Sequence, residues 1–236
     1  MYRIKTGALR DYKDGPMQVI SSRYGSDEVY FEAPPATILP RELDVFLRWA
    51  KKDDENPLIR AAIAHLWFIT LHPFEDGNGR ISRAITELML ARADKSKFRY
   101  YSMSGQIFKS KKEYYRILER TQKGDPEINP WILWFPETLR KALQEAQKLI
   151  DRTVLKALSW QEYRRIPLNA SQQKIITMLL DGFEGNLTSG KLAKICKCSQ
   201  DTASREIKHL EENRILMRKG AGRSTHCILN CGDKHL

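Results

Sequence analysis

A short segment of the chain, residues 72–83, gathers the residue types that phosphate chemistry uses, and it reads HPFEDGNGRISR. Gly77, Asn78 and Gly79 lead into a predicted helix, whose free backbone N–H groups and positive dipole end form a cradle for phosphate. Glycine lets the backbone approach such a ligand closely. The segment therefore predicts a binding site for a phosphorylated ligand.

Charged residues of the same segment supply further groups. Arg80 and Arg83 fall three residues apart in the first turn of the predicted helix, where forked guanidinium groups can grip phosphate oxygens. Two cations there oppose the helix dipole, which favours an anion-binding role. Asp76 is a candidate Mg²⁺ ligand, because Mg²⁺ prefers one or two carboxylates together with phosphate oxygens. His72 can accept a proton from an attacking hydroxyl.

The alternative to a site is a glycine-rich turn with a solvated ionic cluster and a hydrogen-bonded core histidine. A lone histidine or a lone Gly-Asn-Gly would favour that alternative. The complete combination of residues favours a site.

The flanking sequence predicts the elements that position this segment. Pro57 fits the start of one helix, and the pair His72 and Pro73 ends it, because a residue before proline is disfavoured in the helical region. Helical periodicity resumes from Ile81. Upstream, MQVISS and VYFEAPP predict a β-hairpin. We therefore expect a mainly α fold in which the segment joins two helices.

Composition bounds the remaining possibilities. The 236 residues are 42% apolar and 29% charged, which excludes fibrous and wholly disordered classes. The apolar runs are too short to span a bilayer, and the first residues lack an apolar signal core. Four cysteines in a chain of this length do not make a disulfide framework. We expect a cytoplasmic protein in a reducing compartment.

The net charge of +11 is unevenly distributed along the chain. Residues 164–236 hold 13 basic and 7 acidic residues, so the last third is the more basic part. This excess favours a polyanion partner, and a solubilising surface is the alternative. We expect one domain over residues 1–160, a linker over 161–170 and a second domain over 171–236.

The second domain has the pattern of a helix-turn-helix followed by a two-stranded wing. Its predicted core consists of Leu192, Ala193, Ile195, Ile207 and Leu210. The pattern predicts duplex DNA as a partner, with side chains of the second helix in the major groove and a basic wing on phosphates. The predicted DNA-binding residues are Gln200, Thr202, Ser204, Arg205, Lys208, Lys219 and Arg223. A winged helix used for protein contact is the alternative, because acidic residues dilute the charge of that helix.

HPFEDGNGRISR matches at each fixed position the signature of the Fic family, H-x-F-x-(D/E)-G-N-G-R-x-x-R. The residues from Gly7 to Arg10, the hairpin, Ala33 to Pro35, Tyr114-Tyr115 and Gly124-Asp125 also resemble the family's core. The resemblance covers about residues 1–160. It implies a Fic-type helical core with a β-hairpin flap, and transfer of AMP from ATP to a Ser, Thr or Tyr hydroxyl of a target protein.

The resemblance also implies roles for individual residues. His72 would be the general base, Phe74 would anchor the turn in the core, and Asp76 would hold Mg²⁺. The remaining contacts would be made by phosphate-binding Gly77, Asn78, Gly79, Arg80 and Arg83, by nucleoside-binding Tyr114 and Gln122, and by a target flap of Val19, Ile20, Ser21, Ser22 and Arg23. Many relatives have Asn in place of Gln122.

Two departures from the family pattern refine the expectation. Relatives that transfer a phosphoryl group have Lys in place of Gly79, so Gly79 favours AMP transfer. The inhibitory pattern (S/T)-x-x-x-E-(G/N) is not found, since its nearest match, from Thr177 to Gly182, has Asp181 for Glu and falls in the second domain. We therefore expect Arg83 to be unrestrained by an inhibitory glutamate.

The combined interpretation is a Fic-type protein adenylyltransferase that uses ATP and Mg²⁺ on a protein substrate. Double-stranded DNA is a possible further partner, a homodimer is possible, and no membrane partner is expected. The alternatives are a nucleotide-sensing, DNA-binding regulator and removal of AMP by the same site. A zinc site at Cys196, Cys198, Cys227 and Cys231, with His226 and His235, is disfavoured relative to reduced thiols.

Overall fold

The structure is a computed structural model that describes residues 7–11, 15–23, 26–52, 56–94, 98–123 and 127–230, without the side chains of 21–23, 26–28 and 223. Gly124, Asp125, Cys231 and His235, which the sequence analysis singled out, lie outside the described residues. Cα packing divides the chain into two units, 1–146 and 147–236. The predicted bounds of 160 and 171 were drawn from the extent of the family resemblance and from a linker with a proline and a capping asparagine, and they stay a prediction.

The described part of the chain is mainly helical, as predicted. The elements of the first unit are β1 (Gln18–Arg23), β2 (Ser26–Glu32), α1 (Leu39–Lys51), α2 (Pro57–Leu71), α3 (Asn78–Asp94), α4 (Met103–Lys109), α5 (Lys111–Lys123) and α6 (Asn129–Tyr163), whose last part belongs to the second unit. The elements that follow are α7 (Ala170–Leu180), α8 (Ser189–Cys196), α9 (Gln200–Glu212), β3 (Leu216–Lys219) and β4 (His226–Leu229).

The core of the first unit lies between α2 and the helices around it. The α2 helix is apolar on nearly all sides, which is typical of a central buried helix. Asn56 caps its start, since the Asn56 side chain accepts hydrogen bonds from the N–H groups of Leu58 and Ile59. Aromatic rings of α1, α2, α5 and α6 fill the space beside it, among them Phe46, Phe68, Tyr114, Trp131 and Phe135. The helix that ends at the predicted site is therefore the best-packed element of the unit.

The predicted hairpin is present as the antiparallel pair β1 and β2. Its register shifts between Val19 and Ile20, which marks an irregularity in β1. At the open end of the hairpin, the N–H of Ala33 donates to the carbonyl of Met17 at 2.8 Å. The chain then enters α1 through a 3₁₀ turn at 36–38.

The second unit has its own apolar core. A reciprocal capping box of Asn169 and Gln172 starts α7. Leu192, Ile207 and Leu210 are buried as predicted, whereas Ile195 is half-exposed and does not belong to the core. Ile195 was wrongly assigned because α8 has only eight residues and turns a single face inward.

The β3 and β4 strands pair antiparallel from Leu216 with Leu229 to Lys219 with His226.

Among the described helices, none combines the length and apolar composition needed to cross a bilayer.

Candidate active site

His72 lies directly after the last residue of α2, in the left-handed backbone region with φ 47°. Its N–H still donates to the carbonyl of Phe68 at 3.1 Å, so the residue caps the helix. Its ring Nδ1 lies 3.2 Å from the carbonyl of Ile69. Because a carbonyl can only accept, Nδ1 carries the proton and Nε2 is the free basic nitrogen of the neutral ring.

The electrostatic surroundings of His72 favour that neutral form. Burial lowers the pKa of His72 below its ordinary value, and the positive charge of Arg10 lowers it further. The hydrogen bond to Ile69 acts in the opposite direction and is outweighed. The imidazole is therefore in the protonation state that a general base requires at neutral pH.

Asn78 organises the turn that follows His72. Its side chain is 2% exposed, accepts from the N–H of Phe74 at 3.0 Å and donates to the carbonyl of Phe74 at 2.7 Å. The Phe74 ring packs against the core beside Phe68, at 6.4 Å between ring centroids. Since both ends of the Asn78 amide are used within the turn, only its backbone remains for a ligand.

Asp76 and Arg80 lie on the exposed side of the turn. One carboxylate oxygen of Asp76 accepts from the N–H of Gly77 at 2.6 Å, and the other pairs with the guanidinium of Arg80 at 2.9 Å. The Asp76 side chain is 60% exposed. Gly77 has φ +87°, a conformation that side-chain-bearing residues rarely adopt. The glycine thus lets the chain turn sharply into α3.

Arg83 lies one helical turn into α3. Within the described residues its guanidinium has no hydrogen bond or ion pair. A Cβ atom on Gly79 would lie 3.4 Å from Nη1 of Arg83, at an ordinary contact distance, so the Arg83 guanidinium lies beside the glycine at the start of α3. A cation that lacks a counter-ion beside a helix N-terminus is suited to bind an anion.

A buried hydrogen-bonded chain supports this part of α3. The Thr86 hydroxyl donates to the carbonyl of Ser82 at 2.9 Å, so its oxygen must accept from Nδ1–H of His65 at 2.8 Å. Nε2 of His65 then accepts from the hydroxyl of Tyr114 at 2.9 Å. Burial lowers the pKa of His65 to about 3, with Arg83 contributing, so the ring stays neutral. This series of hydrogen bonds links α2, α3 and α5.

Arg10 is a component of the site that the sequence analysis did not identify. It is 6% exposed, and its guanidinium donates to the backbone carbonyls of Pro34, Leu71 and His72. Its backbone N–H donates to the carbonyl of Pro73 at 3.0 Å. The segment from Gly7 to Arg10 entered the sequence analysis only as part of the family resemblance, and the arginine gives no local signal of such a role, because the partners of its guanidinium lie up to 62 residues away.

The two predicted nucleoside contacts lie on α5. Tyr114 is 3% exposed and its hydroxyl is bound to His65, so its side chain belongs to the core. Gln122 is half-buried and donates from Nε2 to the hydroxyl of Thr70 at 3.0 Å. Both side chains therefore contact α2, the helix that ends at His72. Their contact with a nucleoside stays a prediction.

The predicted flap coincides with β1. Val19 is half-buried and Ile20 is exposed, while the side chains of Ser21, Ser22 and Arg23 lie outside the described part of the structure. Tyr30 of β2 contacts α5, because the Lys123 ammonium lies 5.8 Å from the centre of the Tyr30 ring. The flap role stays a prediction.

The predicted DNA-binding residues of the second unit lie mainly on α9. Gln200, Ser204, Arg205 and Lys208 are exposed and Thr202 is half-exposed. Lys219, at the end of β3, is exposed, and the side chain of Arg223 lies outside the description. The face is not uniformly cationic, because Lys208 pairs with Glu212 at 3.8 Å and Arg218 of β3 pairs with Glu211 at 2.6 Å.

No group of three or more His, Cys, Asp or Glu side chains that could hold a metal ion occurs in the part of the chain that the structure describes. Cys196, Cys198 and Cys227 are free thiols. Burial raises the pKa of Cys227, which favours its protonated form. Cys231 and His235 lie outside the description, so the preference for thiols over zinc stays a prediction.

Comparison with known proteins finds similarity to one family. Residues 1–90 match the model of the Fic/DOC family. The chain is 32% identical over 118 residues to "Protein adenylyltransferase Fic" of Nematostella vectensis, which covers 48% of this chain and 26% of that protein. It is 31% identical over 101 residues to the protein of the same name from Drosophila melanogaster, covering 42% of this chain and 19% of that protein. The chain thus spans about a quarter or less of the length of these relatives.

A solved structure shows the same fold. A Fic family protein from Desulfovibrio desulfuricans G20 matches with a TM-score of 0.51 and 22% identity, covering 98% of this chain and 64% of that chain.

Proposed function

We propose that the chain is a protein adenylyltransferase that transfers AMP from ATP to a Ser, Thr or Tyr hydroxyl of a target protein. The observation that carries the proposal is the neutral His72, whose Nδ1–H is occupied by Ile69 and whose Nε2 is free, at the head of a glycine-rich turn into a helix. The names of the similar proteins from Nematostella and Drosophila support the same reaction.

The proposed reaction is an in-line displacement at the α-phosphorus of ATP. Nε2 of His72 accepts the proton of the target hydroxyl while its oxygen attacks, the bond to the pyrophosphate oxygen breaks, and pyrophosphate leaves. Gly77, Asn78, Gly79 and Arg80 bind the α- and β-phosphates, with backbone N–H groups at the start of α3 as donors. The N–H of Gly77 donates to Asp76 in this structure, so it reaches a phosphate oxygen only when that bond is exchanged. Arg83 binds the γ-phosphate.

Asp76 is the proposed Mg²⁺ ligand, and the donor set of this turn fits such an ion. The Asp76 carboxylate is exposed; one oxygen accepts from the N–H of Gly77 and the other pairs with the exposed Arg80 guanidinium. Mg²⁺ that arrives with a triphosphate needs one protein carboxylate rather than a dedicated cluster of acids. When bound, the ion would offset the negative charge of the phosphate oxygens.

The nucleoside and target contacts complete the proposal. Gln122 keeps its side-chain carbonyl oxygen available for the nucleoside, since only its Nε2 is used by Thr70. Tyr114 limits the same region from α5. The target segment would pair with the backbone of β1 around Val19–Arg23, because an edge strand offers unpaired N–H and C=O groups to an added strand.

The second unit is proposed to be a winged helix-turn-helix that binds duplex DNA with α9 and the β3–β4 hairpin. Support comes from the three-residue turn between α8 and α9 and from the exposed Gln200, Arg205 and Lys208 on one side of α9. Binding should weaken steeply with salt if phosphates are the main contacts. An absent or salt-insensitive interaction would favour a protein-contact role for this unit.

The central experiment incubates the chain with ATP labelled on the α-phosphate, Mg²⁺ and cell extract, in parallel with the His72→Ala variant. Labelled protein with the wild type and none with the variant supports AMP transfer. Nucleotide-dependent DNA affinity without labelling would instead favour the regulator. Loss of AMP from a previously modified protein, without net labelling, would favour the reverse reaction.

A further inference from the structure

Among the residues that the structure describes, the partners of the buried Arg10 guanidinium are backbone carbonyls and not an acid. Its Nε donates to the carbonyl of His72 at 2.8 Å, and its Nη2 donates to the carbonyl of Leu71 at 3.2 Å and to that of Pro34. Burial lowers the pKa of the guanidinium, which reflects the cost of enclosing this charge. A buried cation held only by carbonyls is expensive, so the arrangement calls for a reason.

Two of these carbonyls belong to the end of α2. The last carbonyls of a helix have no partner within it, and His72 occupies a left-handed conformation that is unfavourable for a non-glycine residue. The Arg10 fork binds these carbonyls and complements the negative end of the helix dipole. Arg10 thus stabilises the backbone on which the proposed base is mounted.

The third carbonyl is that of Pro34, next to the hairpin that is proposed to hold the target protein. Pro34 follows β2 by two residues, at the point where the hairpin is closed by the bond between Ala33 and Met17. The backbone of Arg10 is itself tied to Pro73, next to the base. One side chain therefore spans the exit of the hairpin and the turn that carries His72.

We infer that Arg10 is a positioning residue that sets the distance between the base His72 and the hairpin that presents the target hydroxyl. The inference rests on the proposed function and adds a specific residue to it. Its effect is geometric, because a displacement of about 1 Å between reacting groups can lower a rate about 100-fold. Lysine cannot replace it, since one ammonium lacks the planar fork that reaches separate carbonyls.

The charge of Arg10 gives the same residue a second, measurable influence. Among the residues that the structure describes, Arg10 is the charged group that acts on His72, and it adds to the effect of burial in lowering the pKa of His72. Removal of Arg10 should therefore raise that pKa and move the acid side of the pH–rate profile to higher pH.

The experiment compares the full chain with Arg10→Gln, Arg10→Lys and the matched control Arg60→Gln. Arg60 is also buried, donates to the carbonyl of Trp49 at 2.8 Å and covers the Trp49 ring, but it lies at the opposite end of α2 from His72. Each variant is measured for melting temperature, for Mg·ATP affinity by calorimetry, for kcat of self-modification with labelled ATP, and for the ¹⁵N imidazole signals of His72.

The inference predicts that both Arg10 variants lower kcat about 10- to 100-fold while ATP affinity changes less than about twofold. Arg60→Gln should lower the melting temperature similarly and leave kcat within about twofold of the wild type. The His72 titration should shift upward in Arg10→Gln and not in Arg60→Gln.

Equal losses of kcat in Arg10→Gln and Arg60→Gln, or ATP affinity that falls in step with kcat, would assign Arg10 a structural role only. A wild-type chain that transfers no AMP would overturn the proposed function instead. In that case the His72 signals still decide: an unchanged tautomer and titration in Arg10→Gln would overturn the positioning role as well.

Discussion

The chain contains two helix-turn-helix connections that begin in the same way and are held in different ways. The α2 and α8 helices both end on a residue with a positive φ that is not glycine, 47° at His72 and 53° at Lys197. The α8–α9 turn is held mainly by local bonds, from Cys198 N–H to the carbonyl of Ala193 and from Thr202 N–H to the Ser199 side chain. Its one longer-range bond among the described residues, from the Lys174 ammonium to the carbonyl of Ile195 at 3.1 Å, is exposed to solvent. Such local caps are sufficient to reverse a chain between two helices.

The α2–α3 turn uses buried polar groups from elsewhere in the sequence. Arg10 holds its first carbonyls from 62 residues away, and the buried Asn78 amide ties its middle. Burying these groups costs free energy that a plain connector would avoid. The difference indicates that the first turn is built to hold one geometry, which is what a reaction site requires.

The largest expected effect is on AMP incorporation. It tests whether a carboxylate at the α2–α3 turn matters more than a carboxylate elsewhere on the surface. Asp76→Asn should lower labelled AMP incorporation about 100-fold, because it removes the proposed Mg²⁺ ligand at constant shape. Its stability should change by less than about 0.5 kcal/mol, since the pair with Arg80 is exposed.

Asp44 offers a matched control for that prediction. It pairs with Arg48 across the same spacing of four residues, at 2.7 Å and with similar exposure. Asp44→Asn should leave AMP incorporation unchanged. An equal loss of incorporation in the two variants would refute a specific role for Asp76.

The second prediction compares what holds the two turns. Asn78→Ala leaves half-buried backbone groups of Phe74 without their Asn78 partners and should lower the free energy of unfolding of the first unit by about 2–3 kcal/mol. Ser199→Ala removes an exposed cap and should cost the second unit about 1 kcal/mol. Hydrogen exchange of α3 and α9 would measure each effect, and equal costs would contradict the distinction between the turns.

The third prediction concerns pH. The pKa of His65 is lowered to about 3 when folded, against about 6.5 when unfolded, so the unfolded chain binds the extra proton between these values. Stability of the first unit should therefore fall as pH decreases from about 6.5 towards 3, by at most about 1.4 kcal/mol per pH unit from this group. Urea unfolding followed by tryptophan fluorescence reports mainly this unit, which holds Trp49, Trp67, Trp131 and Trp134.

His65→Leu supplies the comparison for the pH experiment, because it removes the titrating group while keeping an apolar side chain of similar size. The variant should be less stable at neutral pH and should depend less on pH below 6.5. Identical slopes for the two proteins would show that His65 does not contribute to the acid sensitivity.

The smallest expected effect lies in the second turn. Lys197→Gly should stabilise the second unit by about 0.5–1 kcal/mol, because glycine adopts the left-handed conformation without penalty. Lys194→Gly, within α8, should instead destabilise it by about 1 kcal/mol. Hydrogen exchange of α8 and α9 would distinguish the signs, and a loss of stability in Lys197→Gly would contradict the prediction of backbone strain there.

Local sequence was a good guide to the elements and a poor guide to their long-range connections. Pro57, the pair His72 and Pro73, and Asn169 marked helix ends because proline and capping chemistry act within a few residues. The α4 helix, Met103–Lys109, was missed, since its seven residues show little periodicity.

By itself, the sequence determined the residue types of the turn from His72 to Arg83 and the helices on either side of it. These features depend on spacing along a single segment, so they can be read without coordinates. Only the tertiary structure decided which nitrogen of His72 is free, how Asn78 is used and that Arg10 holds the turn. Those properties depend on which distant backbone groups share a low-dielectric interior, and that is settled when the chain packs rather than by any local pattern.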